Sequence, residues 1–182
     1  FTFMIAYFFL NDAIATTIAM MAVYATAIVG FSSGQFIILY LVSTISTIIG
    51  SFIFGNITKA IGARNTVSIV SIVMIVALTI AVFATHEWMF WISGSLFGVS
   101  LGSMWVTSRT YIIELSPEEK RGQFFGLFAF SGKVSSIIGP AIYGTITLIL
   151  KDYGTFASRV ALGSLIILTI VGLIIHLQIK RK

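Results

Sequence analysis

The sequence predicts an all-α integral membrane protein of six transmembrane helices, on two observations. Hydrophobic residues make up 58% of the 182-residue chain and charged residues only 9%, with a mean hydropathy of +1.05. No water-soluble domain of this size could cover that composition with polar surface. Acyl chains offer no hydrogen bonds, so a spanning segment must be a helix or a strand of a closed barrel. The second observation decides between them: runs such as Val67 to Ala84 stay apolar on every face for about 18 residues, where barrel strands would alternate over about ten.

Six apolar stretches follow in order, over residues 1–29, 35–57, 66–85, 88–113, 123–150 and 156–179. Each reaches the ~20 residues a bilayer needs. The first ends at Gly30-Phe31-Ser32-Ser33-Gly34, and the second at a loop expected over Thr58 to Asn65. The third and fourth are separated by the tight His86-Glu87. The fourth and fifth are separated by Ser116-Pro117-Glu118-Glu119-Lys120-Arg121, the longest polar run, and Lys151 to Thr155 precede the sixth. Short connections imply antiparallel neighbours, and residues 1–182 read as a single bundle.

The net charge of +5 does not indicate nucleic acid, because the basic residues sit in short loops and at the C-terminus. Lys59, Arg64, Lys120, Arg121, Lys180, Arg181 and Lys182 fall on one side. The other side has Lys151, with Arg159 just inside the last helix. Positive residues prefer the cytoplasm, so both termini are expected there, as six crossings require. The absence of cysteine excludes disulfides and thiolate chemistry. The chain has no nucleotide loop, no paired catalytic carboxylates and no Ser-His-Asp set, and His86 and His176 stand too far apart for a metal site. No enzyme activity, cofactor or metal is expected. Phe1 opens the chain without an initiator methionine or a signal-peptide pattern, which suggests a fragment.

Ionisable residues inside the membrane cost about 2.5 to 3.5 kcal/mol each and are functional candidates by default. Asp12 and Lys133 both fall about 15 Å from the cytoplasmic ends of helices one and five, so depth permits a pair. A carboxylate that exchanges lysine for a proton would couple a gradient to transport. The same residues also suit a permanent structural ion pair, or two groups each satisfied separately by hydroxyls and water. Asn11, Ser131 and Ser135 add polar groups for a substrate or ion, and Gly139-Pro140 permits a bend that could line a site or only shape packing. Arg109 and Glu114, near the end of helix four, read as structural or gating groups that snorkel to the headgroups. Ser43, Thr47 and Ser51, and separately Gly94, Gly98 and Gly102, form four-residue stripes that suit helix packing. Trp88, Trp91 and Trp105 read as interfacial anchors.

The string Gly55-Asn56-Ile57-Thr58-Lys59-Ala60-Ile61-Gly62-Ala63-Arg64-Asn65 resembles the loop motif after the second helix of each half in major facilitator superfamily transporters. Its Gly55, Lys59, Gly62 and Arg64 match, and the resemblance implies that they form a gating loop together with Arg109 and Glu114. Thr58 stands where that motif usually has an acid, which bears on any acid-mediated latch to a neighbouring helix. Tyr7 to Asp12, and Phe124 to Phe128 continuing through Ser131-Gly132-Lys133 to Gly139-Pro140, look like the vacuole-effluxer-like branch of that superfamily, as do Ser108-Arg109 and Ser116-Pro117. Fungal members of that branch are linked to amino-acid release from the vacuole, and its bacterial members are permeases.

The resemblance implies the C-terminal six-helix half of a twelve-helix transporter, one of two bundles that rock around a midplane site. The N-terminal half would be its partner, and Asp12 and Lys133 would face the cleft. The expected function is secondary active or facilitative transport of small metabolites by alternating access, with amino-acid efflux favoured. The competing reading is a receptor or assembly protein that keeps the fold without turnover. The setting is a multi-pass membrane protein in lipid, in the cell membrane or, in a fungus, the vacuolar membrane.

Overall fold

The structure, a computed structural model, describes residues 1–179. Lys180, Arg181 and Lys182, counted above among the charges of one side, lie outside the described residues. Six helices run α1 Thr2–Val29, α2 Ser33–Ile61, α3 Ala63–Val82, α4 Glu87–Leu115, α5 Arg121–Ile149 and α6 Thr155–Leu177. All six are long and apolar enough to cross a membrane. Short 3-10 turns at Glu118–Lys120 and Lys151–Tyr153 precede α5 and α6.

Local chemistry sets the helix ends. Gly30 closes α1 in the left-handed region at φ 70, where glycine has no steric penalty. Ser32 then opens α2 with a reciprocal capping box: its backbone N–H donates to Gln35 Oε1 at 2.9 Å and its Oγ accepts the Gln35 N–H at 3.3 Å.

The loop expected over Thr58 to Asn65 is not there. Helix continues on both sides of a single non-helical residue, Gly62, at φ 84 and ψ 153. The Gly62 N–H donates to Thr58 O at 2.9 Å, and Gly62 O accepts from Thr66 N–H at 3.2 Å, so the helical ladders run up to the turn from both directions. α3 stops at Val82, short of the expected Thr85. The Arg159 guanidinium of α6 takes the carbonyls of Val82 and Ala84, satisfying groups a helix end leaves open.

The helices form two couples backed by a pair. α2 lies on α4, and α1 lies on α5; α3 packs against α4 and α6, and α6 against α1. The α2–α4 contact depends on glycine. A Cβ at Gly98 would collide with the Ser43 carbonyl, one at Gly102 with the Thr47 carbonyl, and one at Gly50 would lie 2.7 Å from the Val99 backbone. The hydroxyl stripe on α2 serves the same packing, since Thr47 and Ser51 return their protons to the carbonyls of Ser43 and Thr47 at 2.8 Å. Where the superfamily motif would have an acid, the Thr58 hydroxyl meets the Thr107 hydroxyl of α4 at 3.2 Å.

Two opposite ends of the bundle are defined by arginines. At one, Arg64 donates from Nε to Ile179 O and from Nη2 to Leu177 O, both at 3.0 Å, while His176 Nε2 meets Arg64 O at 2.8 Å. The start of α1 joins this end through Phe3, edge-on to Tyr111 of α4 at 4.6 Å and to His176 at 6.0 Å. At the other end Arg159 caps α3, and the Tyr24 hydroxyl donates to Ala81 O at 3.0 Å. α1 therefore starts and α6 finishes on the Arg64 end. The outward faces of α2 and α5 are largely exposed and apolar: only Leu39, Gly50 and Thr58 of α2, and Phe128, Ser135, Gly139 and Tyr143 of α5, are buried.

Candidate functional site

The α1–α5 contact is a polar seam inside an apolar bundle. Ser131 Oγ donates to Met4 O at 2.9 Å. One turn on, the Asn11 amide donates to Gly132 O and to Ser135 Oγ, both at 2.9 Å, and its Oδ1 accepts from the Tyr7 hydroxyl at 3.1 Å. Deeper still, the Gly139 backbone N–H donates to Asp12 Oδ1 at 2.7 Å. Residue numbers rise together on both helices, so α1 and α5 run parallel. Gly132 and Gly139 allow this approach: a Cβ at Gly132 would sit 3.3 Å from Tyr7 Cε1, and one at Gly139 would collide with Thr16 Oγ1.

Asp12 is fully buried in this seam. Its second oxygen, Oδ2, and the neighbouring Thr16 Oγ1 have no hydrogen-bond partner among the described residues. α5 continues through Pro140, which brings no N–H of its own. The carboxyl thus meets α5 one residue before that missing donor.

Beside the seam lies an open groove of about 500 Å³ between α1, α4 and α5. Tyr7, Asn11, Trp105, Arg109, Phe128 and Lys133 contribute to its wall. The groove brings together two of the expected site residues, Asn11 and Lys133, and leaves Asp12, Ser131 and Ser135 in the seam behind.

The expected ion pair is absent. Among the described residues the one salt bridge is Arg121 to Glu118 at 3.2 Å, and Asp12 is bonded to Gly139 instead of Lys133. Consecutive helical residues point about 100° apart, so Asn11 faces the groove while Asp12 turns into α5. It meets that helix at Gly139, about 9 Å along the axis from Lys133. Asp12 accordingly does not border the groove, and Lys133 does.

The group expected to gate also divides. Gly55, Lys59, Gly62 and Glu114 line a separate hollow between α2 and α4. Arg64, just past the Gly62 turn, fastens the end of α6. Arg109 stands in the groove, because five residues separate it from Glu114 and put the two on different faces of α4. Trp105, expected as an anchor, lies about 15 Å from the end of α4 and lines the groove instead. The signal for both was in the sequence: Trp105 and Arg109 are four apart and share a face.

The family model described as vacuole effluxer Atg22 like matches residues 1–182. An uncharacterized MFS-type transporter of Bacillus subtilis, YxiO, is 29% identical over 96% of this chain and 40% of its own length. Autophagy-related protein 22 of Candida glabrata is 27% identical over 80% of this chain and 29% of its own. The chain therefore spans well under half of the relatives it matches. Among solved structures, the major facilitator superfamily proton:xylose symporter XylE superposes with a TM-score of 0.80 over 99% of this chain and 44% of that protein, at 16% identity. That likeness establishes the fold.

Proposed function

The chain belongs to the vacuole effluxer Atg22-like family, and on that premise we propose that it forms one wall of a secondary transporter, active or facilitative, that moves small metabolites by alternating access. The observation that carries this reading is the groove between α1, α4 and α5, where Asn11, Arg109 and Lys133 stand in a mostly apolar wall. Polar groups at that depth are costly and mark transport pathways. A second six-helix bundle, the N-terminal half of the same transporter, would close the groove from the open side.

Amino acids are the favoured cargo, on the resemblance to the fungal members of the branch linked to amino-acid release from the vacuole. The Arg64 end, which also has Lys59, Lys120 and Arg121, would face the cytoplasm by its charge. The membrane follows the host: the cell membrane of a bacterium or the vacuolar membrane of a fungus. Within this scheme Asn11 and Lys133 contact cargo, while Asp12, Ser131 and Ser135 tie α1 to α5. Asp12 adds a titratable group at the Gly139-Pro140 step of α5, where gain of a proton changes what the seam holds. Gly55, Lys59, Gly62 and Glu114 line the separate hollow between α2 and α4 and act there as gating groups.

The test is amino-acid efflux from proteoliposomes containing the full-length protein, with and without a pH gradient, for wild type and Asp12→Asn at equal reconstituted amounts. Gradient-dependent efflux that loses its dependence in Asp12→Asn supports both cargo and coupling. Vesicles that move no amino acid under either condition refute the cargo assignment.

A further inference from the structure

We infer that the groove holds an anionic oxygen group of the cargo, a carboxylate or a phosphate, between Arg109 of α4 and Lys133 of α5. The inference rests on the transport reading and adds to it the chemistry that the groove recognises.

Both cations line the same groove, and neither side chain makes an ion pair or hydrogen bond among the described residues. Among the described residues no acid faces them. The chain has six acidic residues, and each is placed elsewhere. Asp12 is sealed in the seam against Gly139. Glu87 accepts from Gln35 at the Arg159 end, 3.2 Å away, and Glu114 lines the α2–α4 hollow. Glu118, paired with Arg121, and Glu119 lie in the turn before α5, and Asp152 lies in the turn before α6.

Two like charges held toward one space in lipid repel each other and are costly to desolvate. A shared anion removes both penalties. Arg109 offers a planar fork that suits a carboxylate or phosphate, and Lys133 a single mobile ammonium. Asn11 is already engaged through its amide with α5 and through Oδ1 with Tyr7, so the two cations are the strongest free donors in the groove. Trp105 and Phe128 supply an apolar wall for the remainder of a small molecule.

The experiment measures ligand-induced stabilisation of the purified full-length protein in nanodiscs. The probes are L-leucine against L-leucinamide, succinate against succinamide, inorganic phosphate and D-glucose. The expected result is that at least one anion binds, and that a binding carboxylate loses tenfold or more in affinity as its amide. Arg109→Ala and Lys133→Ala should each weaken anion binding at least tenfold, and Lys133→Arg should recover most of the loss. Phosphate as the preferred anion assigns the group to a phosphate, and leucine or succinate assigns it to a carboxylate.

Equal binding of acid and amide overturns the inference, as does glucose as the best ligand, a panel in which no anion binds, or unchanged anion binding in the Arg109→Ala/Lys133→Ala double variant. Variants that lose thermal stability but keep anion affinity also overturn it, because the cations then pair with acids of the other bundle. Flux in proteoliposomes separates the two readings. Anion binding without flux refutes transport and leaves the site, whereas equal flux of acid and amide leaves transport and refutes the site.

Discussion

Gly139→Ala is the sharpest single perturbation of the α1–α5 seam. An added Cβ would collide with Thr16 Oγ1 and lie 2.9 Å from Asp12 Cγ, and both neighbours are fully buried. Overpacking of this kind costs about 1 to 3 kcal/mol. Displacing the Gly139 N–H from Asp12 removes a hydrogen bond to a charged group, about 1.5 to 3 kcal/mol in water-soluble proteins, though interhelical bonds in membranes average nearer 0.6 kcal/mol. The steric part therefore dominates, and because alanine also returns up to about 1 kcal/mol of helix propensity, the net loss should be about 1 to 3 kcal/mol.

Gly144→Ala on the same helix is the control, since nothing lies within 4 Å of its Cβ. That substitution gains up to about 1 kcal/mol of helix propensity. Thermal unfolding in detergent should place Gly139→Ala well below wild type and Gly144→Ala at or above it. Adding Thr16→Ala to Gly139→Ala should recover part of the loss by removing the struck oxygen. Equal midpoints for the two glycine variants would refute the seam geometry.

Two further outcomes follow from the packing. Arg64→Ala should loosen the end of α6, read as backbone hydrogen exchange across residues 174–179 faster by tenfold or more. Arg64→Lys should restore little, because one ammonium does not reproduce the fork that spans Leu177 O and Ile179 O. Gly98→Ala should destabilise by about 1 to 3 kcal/mol by forcing α2 from α4, whereas Gly163→Ala, with open space at its Cβ, should be neutral or slightly stabilising in the same unfolding assay.

The helices were legible because a run of apolar residues long enough to span lipid has no other stable form, and the glycine stripe on α4 announced its own close contact. Depth along each helix was legible too, at 1.5 Å per residue. Azimuth was not. Asn11 and Asp12 are neighbours in sequence, yet one borders the groove and the other is sealed against α5. Lys133 and Asp12 share a depth estimate without sharing a contact. Arg109 read as an interfacial residue because proximity to the helix end was the only coordinate available, and its face toward α1 and α5 emerged once the bundle closed. The Thr58 to Asn65 segment misled for a different reason. Glycines beside lysine and arginine read as a flexible loop, but one glycine at positive φ reverses the chain by itself.

The way α1 meets α4 has a mechanical consequence. Their contact is aromatic at both ends, Phe3 against Tyr111 and Tyr24 against Phe90. Rings can roll over one another at little cost, while polar bonds tie α1 to α5 and α2 to α4 and also tie both α1 and α4 to α3, through the Tyr24 hydroxyl on Ala81 O and the Ser93 hydroxyl on Ala77 O. The groove is therefore the line along which the two couples touch most lightly, and α3, bonded to Tyr24 of α1 and to Ser93 of α4, is the strap that carries load from one couple to the other.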